Sequence, residues 1–325
     1  MRALAIVDHE LHVVTRPEPE PQRGEVLVRV HGAGLNRADL VQRIGHYPAP
    51  PGVPADVPGL EFAGVVEALG PGVDSPALGD QVMGLVGGGG QAEVLTVPAV
   101  HCVPVPDDVD LVAAGGVPEV FVTAHDAMVT QAGLRAGEVV LVHAAGSGVG
   151  TAAIQLAHAM GCMVVGTSRT AKKLDQCRGL GLEHAVLAPR DLDPLALAEE
   201  ITAAAGPIDV TVDLVGGPYV VTDVRAANRL GRIVIVASQA GAHANLEIGM
   251  LMSKRLTVRG TVLRARSIEE KRVATEAFAR DVLPLLAAGT VRPIVAQTFP
   301  LEEAEAAYDL LAADAVFGKI VLDMR

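Results

Sequence analysis

The run Val139-Val140-Leu141-Val142 passes through His143 into Ala144-Ala145-Gly146-Ser147-Gly148-Val149-Gly150, and Thr151–Ala159 then reads as a helix. A buried strand that enters a turn of very small residues and leaves as a helix lets an anion approach the N–H groups at the helix N-terminus. The chemistry served by that arrangement is pyrophosphate binding in a dinucleotide site. Against the pattern G-x-G-x-x-G, Ala145 and Ser147 hold the first two glycine positions and Gly150 holds the third. The strand–turn–helix context is therefore what gives the motif weight, and Ser147, Gly148, Val149 and Gly150 are the expected phosphate contacts. The alternative is a tightly packed turn that binds nothing.

The next strand discriminates between cofactors. Met163-Val164-Val165-Gly166-Thr167 ends at Ser168-Arg169, with Lys172 and Lys173 one turn later. A site for NAD places Asp or Glu about twenty residues past the turn, on the ribose hydroxyls. Here a neutral Ser168 and a cationic Arg169 stand in that place, and Arg and Lys attract and hydrogen-bond a 2′-phosphate. The expected cofactor is NADPH, held by Ser168, Arg169 and Lys173. A solvated charge run at a helix start is the other reading.

These residues need a frame. Glu25–His31 alternates polar and apolar residues, and Glu61–Leu69 and Gln81–Val86 are short apolar runs bounded by Gly and Pro. That spacing predicts a small antiparallel barrel or sandwich, interrupted by the Pro-rich loop Gly45–Pro58. Near Val117 the character changes. Helix-like stretches at Thr123–Ala132 and Gly150–Met160 mix with strand-like runs at Val139–Val142, Met163–Gly166, Val210–Val215 and Ile233–Ala237. Strands alternating with helices predict an α/β unit with a parallel sheet. Past Val262 come a helix over Ile268–Ala288, the run Val291–Phe299, a helix over Leu301–Ala313 and a last strand, Lys319–Leu322.

The totals narrow the class. A length of 325 residues suggests two domains, and with aromatics at 2% the core must be built from Val, Leu, Ile and Ala. A formal charge of −12 without an opposing Lys/Arg cluster argues against nucleic acid and anionic membrane as partners. Cys102, Cys162 and Cys177 lack C-x-x-C spacing, which disfavours a disulfide framework or structural zinc and fits a reducing cytoplasm. Met1–Asp8 meets charge after five apolar residues and reads as a strand rather than a signal peptide. The most apolar stretch, Val139–Ala157, carries His143 and three glycines and does not read as a membrane span.

Several blocks carry a family resemblance. They are Gly34-Leu35-Asn36-Arg37-Ala38-Asp39-Leu40-Val41-Gln42-Arg43-Ile44-Gly45-His46-Tyr47, Pro50-Pro51-Gly52 and Gly59-Leu60-Glu61. Ser147-Gly148-Val149-Gly150-Thr151-Ala152-Ala153-Ile154-Gln155-Leu156 and Gly318-Lys319-Ile320-Val321-Leu322 complete the set. In order along nearly the whole chain, they resemble the medium-chain dehydrogenase/reductase superfamily, in its zinc-independent quinone oxidoreductase branch and most closely the p53-inducible quinone oxidoreductase group. The resemblance implies a GroES-like, β-rich catalytic domain split between residues 1–120 and 263–325. It implies a Rossmann, doubly wound cofactor domain over residues 121–262, with the active site in the cleft. It also implies a homodimer, with Leu256–Val262 as the candidate edge.

In the family's zinc alcohol dehydrogenases a Cys stands where this chain has Asn36, a His precedes the Glu at Leu60-Glu61, and the third ligand falls near Pro118-Glu119. Leucine ligates nothing, Glu61 alone is not a site, and zinc needs three or four N, S or O ligands. His9-x-x-His12 has ligand-like spacing but reads as a surface pair. Without a metal the substrate must already be electron-poor: a quinone, or a carbonyl conjugated to an alkene. Negative charge then develops on the carbonyl oxygen, where a weak donor suffices.

The resemblance places Tyr47 in the cleft as that donor, with packing under the loop as the alternative. Asn36 could bond substrate or nicotinamide ribose, or stabilise a turn. Asp39 and Glu61 read as structural. Thr123, Leu263, Phe317 and Lys319 match cofactor-side segments, and Val236–Ser238 lies at the carboxyl edge of a strand where nicotinamide rests. Arg264 and Arg266 rank low, with solvation as the alternative. Where the family often carries a tyrosine against the adenine phosphate, Pro189-Arg190 stand, and Arg190 is the substitute. The expected activity is NADPH:quinone reduction. The alternatives are enone or enoyl reduction, and a non-catalytic NADPH-binding redox sensor.

Overall fold

Along Glu25–Gly34, Val26, Val28 and Val30 turn inward in strict alternation, and this strand organises the first of two units. The computed structural model describes residues 1–189 and 193–325 and divides into Met1–Val122 with Leu263–Arg325, and Thr123–Val262. Glu25–Gly34 pairs antiparallel with Glu61–Leu69 on one edge. On the other it pairs first with Val94–Pro98, through residues 25–29, and then with Lys319–Asp323, through residues 32–34. This change of partner brings the start of Lys319–Asp323 beside Leu35, whose N–H donates to the Ile320 carbonyl at 2.9 Å. Gln81–Leu85 and Cys102–Pro104 extend the sheet beyond Glu61–Leu69.

The core of this unit is aliphatic, with Val26, Val28, Val30, Leu35, Leu95 and Ile320 packed around Phe62 and Tyr308. The expected all-antiparallel barrel is corrected at one edge. Val295–Pro300 runs parallel to Lys319–Asp323 because the helix Ala304–Ala312 forms a crossover between them, and a crossover connection joins parallel neighbours. The expected single helix over Ile268–Ala288 is two, Ile268–Asp281 and Leu283–Ala287. Pro284 has no N–H to continue the first helix and is tolerated in the first turn of the second.

Among its described residues the Thr123–Val262 unit holds six parallel strands in the order His184–Leu187, Met163–Ser168, Val139–Val142, Ile208–Asp213, Ala227–Ile235, Thr257–Gly260. Numbered within the unit, that is 3-2-1-4-5-6, the Rossmann order, and the direction of winding reverses between Val139–Val142 and Ile208–Asp213. Val140, Leu141, Val142, Val164, Val165, Val210 and Val212 are buried, as a sheet covered on both faces requires. The stretch expected as a helix over Thr123–Ala132 begins earlier, as Pro118–His125, and widens into π-helical turns over Asp126–Gln131. No helix among the described residues is long and apolar enough to cross a membrane.

Candidate functional site

The small-residue turn forms as its sequence requires. Ser147 caps the helix Gly148–Ala159, its hydroxyl accepting from the Gly150 N–H at 3.1 Å. Ala145 donates to the Thr167 carbonyl at 2.9 Å, which ties the turn to the neighbouring strand. A Cβ at Gly150 would lie 2.5 Å from the Ala144 carbonyl oxygen, so only glycine permits this path. A Cβ at Gly146 would lie 2.9 Å from Lys173 Cβ and Cδ, so the aliphatic stem of Lys173 lies directly across the turn. Ser168 ends its strand and accepts from the Thr170 N–H at 3.4 Å, while Arg169 is exposed beside it. The structure thus gathers Ser147, Gly148, Val149, Gly150, Ser168, Arg169 and Lys173 at one end of the parallel sheet. Half-buried Val236 and exposed Ser238 follow the strand Ala227–Ile235, and Val236 donates to the Asp213 carbonyl at 2.8 Å.

Beneath the turn lies a cluster that sequence reading missed. His143 is fully buried, with Nδ1 2.7 Å from Thr167 Oγ1, Nε2 2.8 Å from Asp223 Oδ1, and the Tyr219 ring edge-on to it. Burial pushes the His143 ring down to about 4 and the Asp213 carboxyl up to about 6. The imidazole is therefore neutral and packs as a hydrogen-bonded core residue under the small-residue turn.

In the other unit, Asn36 precedes the helix Arg37–Arg43, and Asp39 reaches back to accept from the Asn36 N–H at 2.8 Å. Asp39 also accepts from Gly59 N–H at 3.2 Å and from Gln91 at 3.3 Å, and burial raises its carboxyl to about 6. The Asn36 amide is held on both sides. Its Nδ2 donates to Glu61 Oε1 at 3.0 Å and its Oδ1 accepts from Lys319 Nζ at 2.7 Å. Lys319, 4% exposed, spends its three ammonium donors on Asn36 Oδ1, the Leu35 carbonyl at 2.6 Å and Glu61 Oε1 at 2.7 Å. Gly34 makes this possible, because a Cβ there would lie 2.2 Å from Glu61 Oε1. Glu61 Oε2 accepts from the Glu119 N–H at 2.8 Å. The carboxyl of Glu119, pushed up to about 8 by burial and by Glu61, makes no hydrogen bond to the described residues.

Tyr47 is half-buried in the Pro-rich loop, and its hydroxyl has no partner among the described residues. Arg264, ranked low among the candidates with solvation as the alternative, is 4% exposed. It donates to the Tyr47 carbonyl and to the Gly87 carbonyl at 2.8 Å each and to Gln42 Oε1 at 2.6 Å, and its guanidinium stacks 4.5 Å from the Tyr47 ring centroid. The solvated alternative is thereby corrected: the charge is desolvated and anchors the loop bearing the phenol.

Of the remaining expected residues, Thr123 lies buried in the Pro118–His125 helix at the start of the parallel-sheet unit. Buried Leu263, half-buried Phe317 and Lys319 belong to the other unit. Arg190 lies outside the described residues. Of the histidine pair, His9 is bonded to the Arg43 carbonyl at 2.8 Å.

Comparisons with known proteins agree with this architecture. Residues 22–107 match the family described as "Alcohol dehydrogenase GroES-like domain", and residues 148–280 the family described as "Zinc-binding dehydrogenase". The quinone oxidoreductase of Rattus norvegicus is 32% identical over 314 residues, which span 94% of this chain and 90% of that protein. The quinone oxidoreductase of Thermus thermophilus, solved also in complex with NADPH, is 33% identical, with a TM-score of 0.83 over the whole of both chains. The CurK enoyl reductase superposes with a TM-score of 0.85 at 25% identity, covering 100% of this chain and 99% of its own.

Proposed function

The chain belongs to the medium-chain dehydrogenase/reductase superfamily, in its quinone oxidoreductase branch, and we propose that it is an NADPH-dependent reductase of quinones and other electron-poor carbonyl compounds. The observation that carries the cofactor reading is the stem of Lys173 lying across Gly146, next to Ser168 and Arg169 where an NAD site would place an acid. The N–H groups at the start of Gly148–Ala159 fit the pyrophosphate, and the two cations fit a 2′-phosphate. When bound, the dihydronicotinamide supplies the hydride.

The donor set does not fit zinc. Asn36, at one of the family's ligand positions, and Glu61, next to another, are already bonded to the Lys319 ammonium, and Leu60, at the histidine position, offers no lone pair. Tyr47 is the donor to the acceptor's carbonyl oxygen. Burial and the nearby Glu119 raise its phenol, so it keeps its proton to donate, and Arg264 fixes the loop that aims it. The exposed edge strand Thr257–Gly260 supports assembly as a homodimer through paired edges. Free Cys102, Cys162 and Cys177 fit a reducing, cytoplasmic setting.

Steady-state assays test this reading. With 1,2-naphthoquinone as acceptor, kcat/KM should favour NADPH over NADH, and Arg169→Ala with Lys173→Ala should raise the NADPH KM about tenfold or more while leaving the NADH KM alone. Equal KM values for NADPH in wild type and double variant would reject the 2′-phosphate assignment. The likeness to an enoyl reductase motivates the second reading, and turnover of an enoyl-CoA above that of any quinone would select it.

A further inference from the structure

Lys271 lies on the buried stripe of the helix Ile268–Asp281, in register with Ala274, Thr275 and Phe278, and only 8% of it is exposed. A buried ammonium normally spends its three donors on protein oxygens, as Lys319 does. Lys271 makes no hydrogen bond and no ion pair to any described residue. Burial and the repulsion of Arg264 push its pKa down, and Glu119 opposes them. Its Nζ stands beside Gly87, where a Cβ would come within 3.6 Å of it and within 2.9 Å of Pro50 Cγ in the loop that carries Tyr47. The same Gly87 accepts from Arg264, the anchor of that loop. Three polar ends of this unit, the Lys271 ammonium, the Glu119 carboxyl and the Tyr47 hydroxyl, are thus left without partners among the described residues, and Glu119 lies within electrostatic reach of the other two. The Lys271 stem is buried, but its Nζ is not among the fully buried unsatisfied atoms, so a partly desolvated ammonium with donors unused by protein faces solvent. Such a cation is matched to an oxygen that carries negative charge.

We propose that Lys271 is a catalytic residue whose ammonium receives the oxyanion formed on the acceptor during reduction. This rests on the reading of the chain as a dihydronicotinamide-dependent reductase of electron-poor carbonyls. The acceptor gains a hydride at carbon from the reduced nicotinamide, whose C4–H bond breaks. Its conjugated π electrons move onto the carbonyl oxygen, which becomes an enolate or phenolate. Lys271 holds that charge by hydrogen bonds while Tyr47 donates from a second direction, and a proton from water then neutralises the oxygen. The positive charge needed at the acceptor is supplied by a side chain, whereas the other buried lysine, Lys319, is committed to Glu61.

Two readouts on the full-length protein test this, the first without turnover. Titration with 4-nitrophenol, at a pH where it is ionised, uses the phenolate as a stand-in for the reduced acceptor. Wild type should bind it with a visible spectral shift, Lys271→Met should lose at least about tenfold in affinity, and Lys271→Arg should regain most of it. In turnover, Lys271→Met should lower kcat about 100-fold with an enone and less with a strongly activated quinone, at unchanged NADPH affinity. A wild type that binds no phenolate overturns the proposal. So does a folded Lys271→Met, or Lys271→Gln should Met not fold, with wild-type phenolate affinity and turnover. Phenolate binding that depends on Lys271 in a protein that reduces no acceptor would sink the reductase reading and leave Lys271 as an anion-binding group.

Discussion

Arg264 and Glu119 show how single residues set the chemistry available to the non-Rossmann unit. Replacing Arg264 with Met leaves the carbonyls of Tyr47 and Gly87 and the Gln42 amide oxygen without their buried donor, and removes the stack on the phenol. The expected cost is about 3 kcal/mol in a urea unfolding experiment, with a larger fall in kcat than Arg264→Lys produces. Glu119 carries a pH signature. Its carboxyl holds a proton up to about 8, against 4.5 when unfolded, so the folded state binds the extra proton between those values. Its contribution is therefore fully present below pH about 4.5 and is lost as pH rises through about 8. Glu119→Gln should stabilise the protein at pH 9 relative to pH 5, compared with wild type, and unfolding midpoints that shift in parallel at both pH values would contradict this. Sequence named both residues, Glu119 beside a ligand position of the zinc relatives and Arg264 low among the candidates, but neither of these roles was legible in it. The Arg264 partners lie 177, 217 and 222 positions away, and no local pattern encodes such contacts. Lys271 did leave a trace, because a lysine at helical spacing from Ala274, Thr275 and Phe278 breaks an otherwise inward face.

At the scale of elements, the parallel strands and the small-residue strand–turn–helix were legible because their signals are local. Val139–Val142 appears with its expected bounds, and the helix after it starts at Gly148 behind the Ser147 cap. What blurred were boundaries set by hydrogen bonding rather than residue type. The run Val210–Val215 stops as a strand at Asp213, whose carboxylate accepts from the N–H groups of Val215 and Gly216 at 2.8 Å each and turns the chain. The run Ile233–Ala237 is the end of a strand that begins at Ala227. The turn itself should be intolerant of even one methyl. Gly150→Ala puts a Cβ 2.5 Å from the Ala144 carbonyl and must displace the helix N-terminus. Dissociation constants for NADPH measured by nicotinamide fluorescence should rise about tenfold or more, with reduction of the residual bound fraction unimpaired. An unchanged constant would mean that this N-terminus does not hold the pyrophosphate.

For the whole molecule, two units of different architecture share one chain, and the first is completed only by residues beyond Leu263. The alternation of strand and helix signals made the parallel-sheet unit readable, whereas the parallel edge formed by Val295–Pro300 and Lys319–Asp323 was hidden, since local periodicity carries no strand direction. Assembly is testable at the other sheet. Thr257–Gly260 is exposed along its length and carries Val258 on its surface. If copies join there about a two-fold axis, Val258→Lys sets like charges against each other, and light scattering should report a fall from dimer to monomer with melting temperature nearly unchanged. A variant that stays dimeric would move the interface elsewhere.

The ion pair between Lys319 and Glu61 also bears on how the molecule comes into being. Leu35 and Asn36 leave the ribosome 284 and 283 residues ahead of the lysine that will join them, and the whole Rossmann unit is synthesised in between. Until then Glu61 has no counter-ion, and one edge of Glu25–Gly34 lacks a strand partner at residues 32–34. Non-local pairing of this kind delays folding and leaves the early segment open to mispairing. Refolding of the split unit should accordingly trail that of the intervening one, and the nascent chain should depend on chaperones chiefly during that wait.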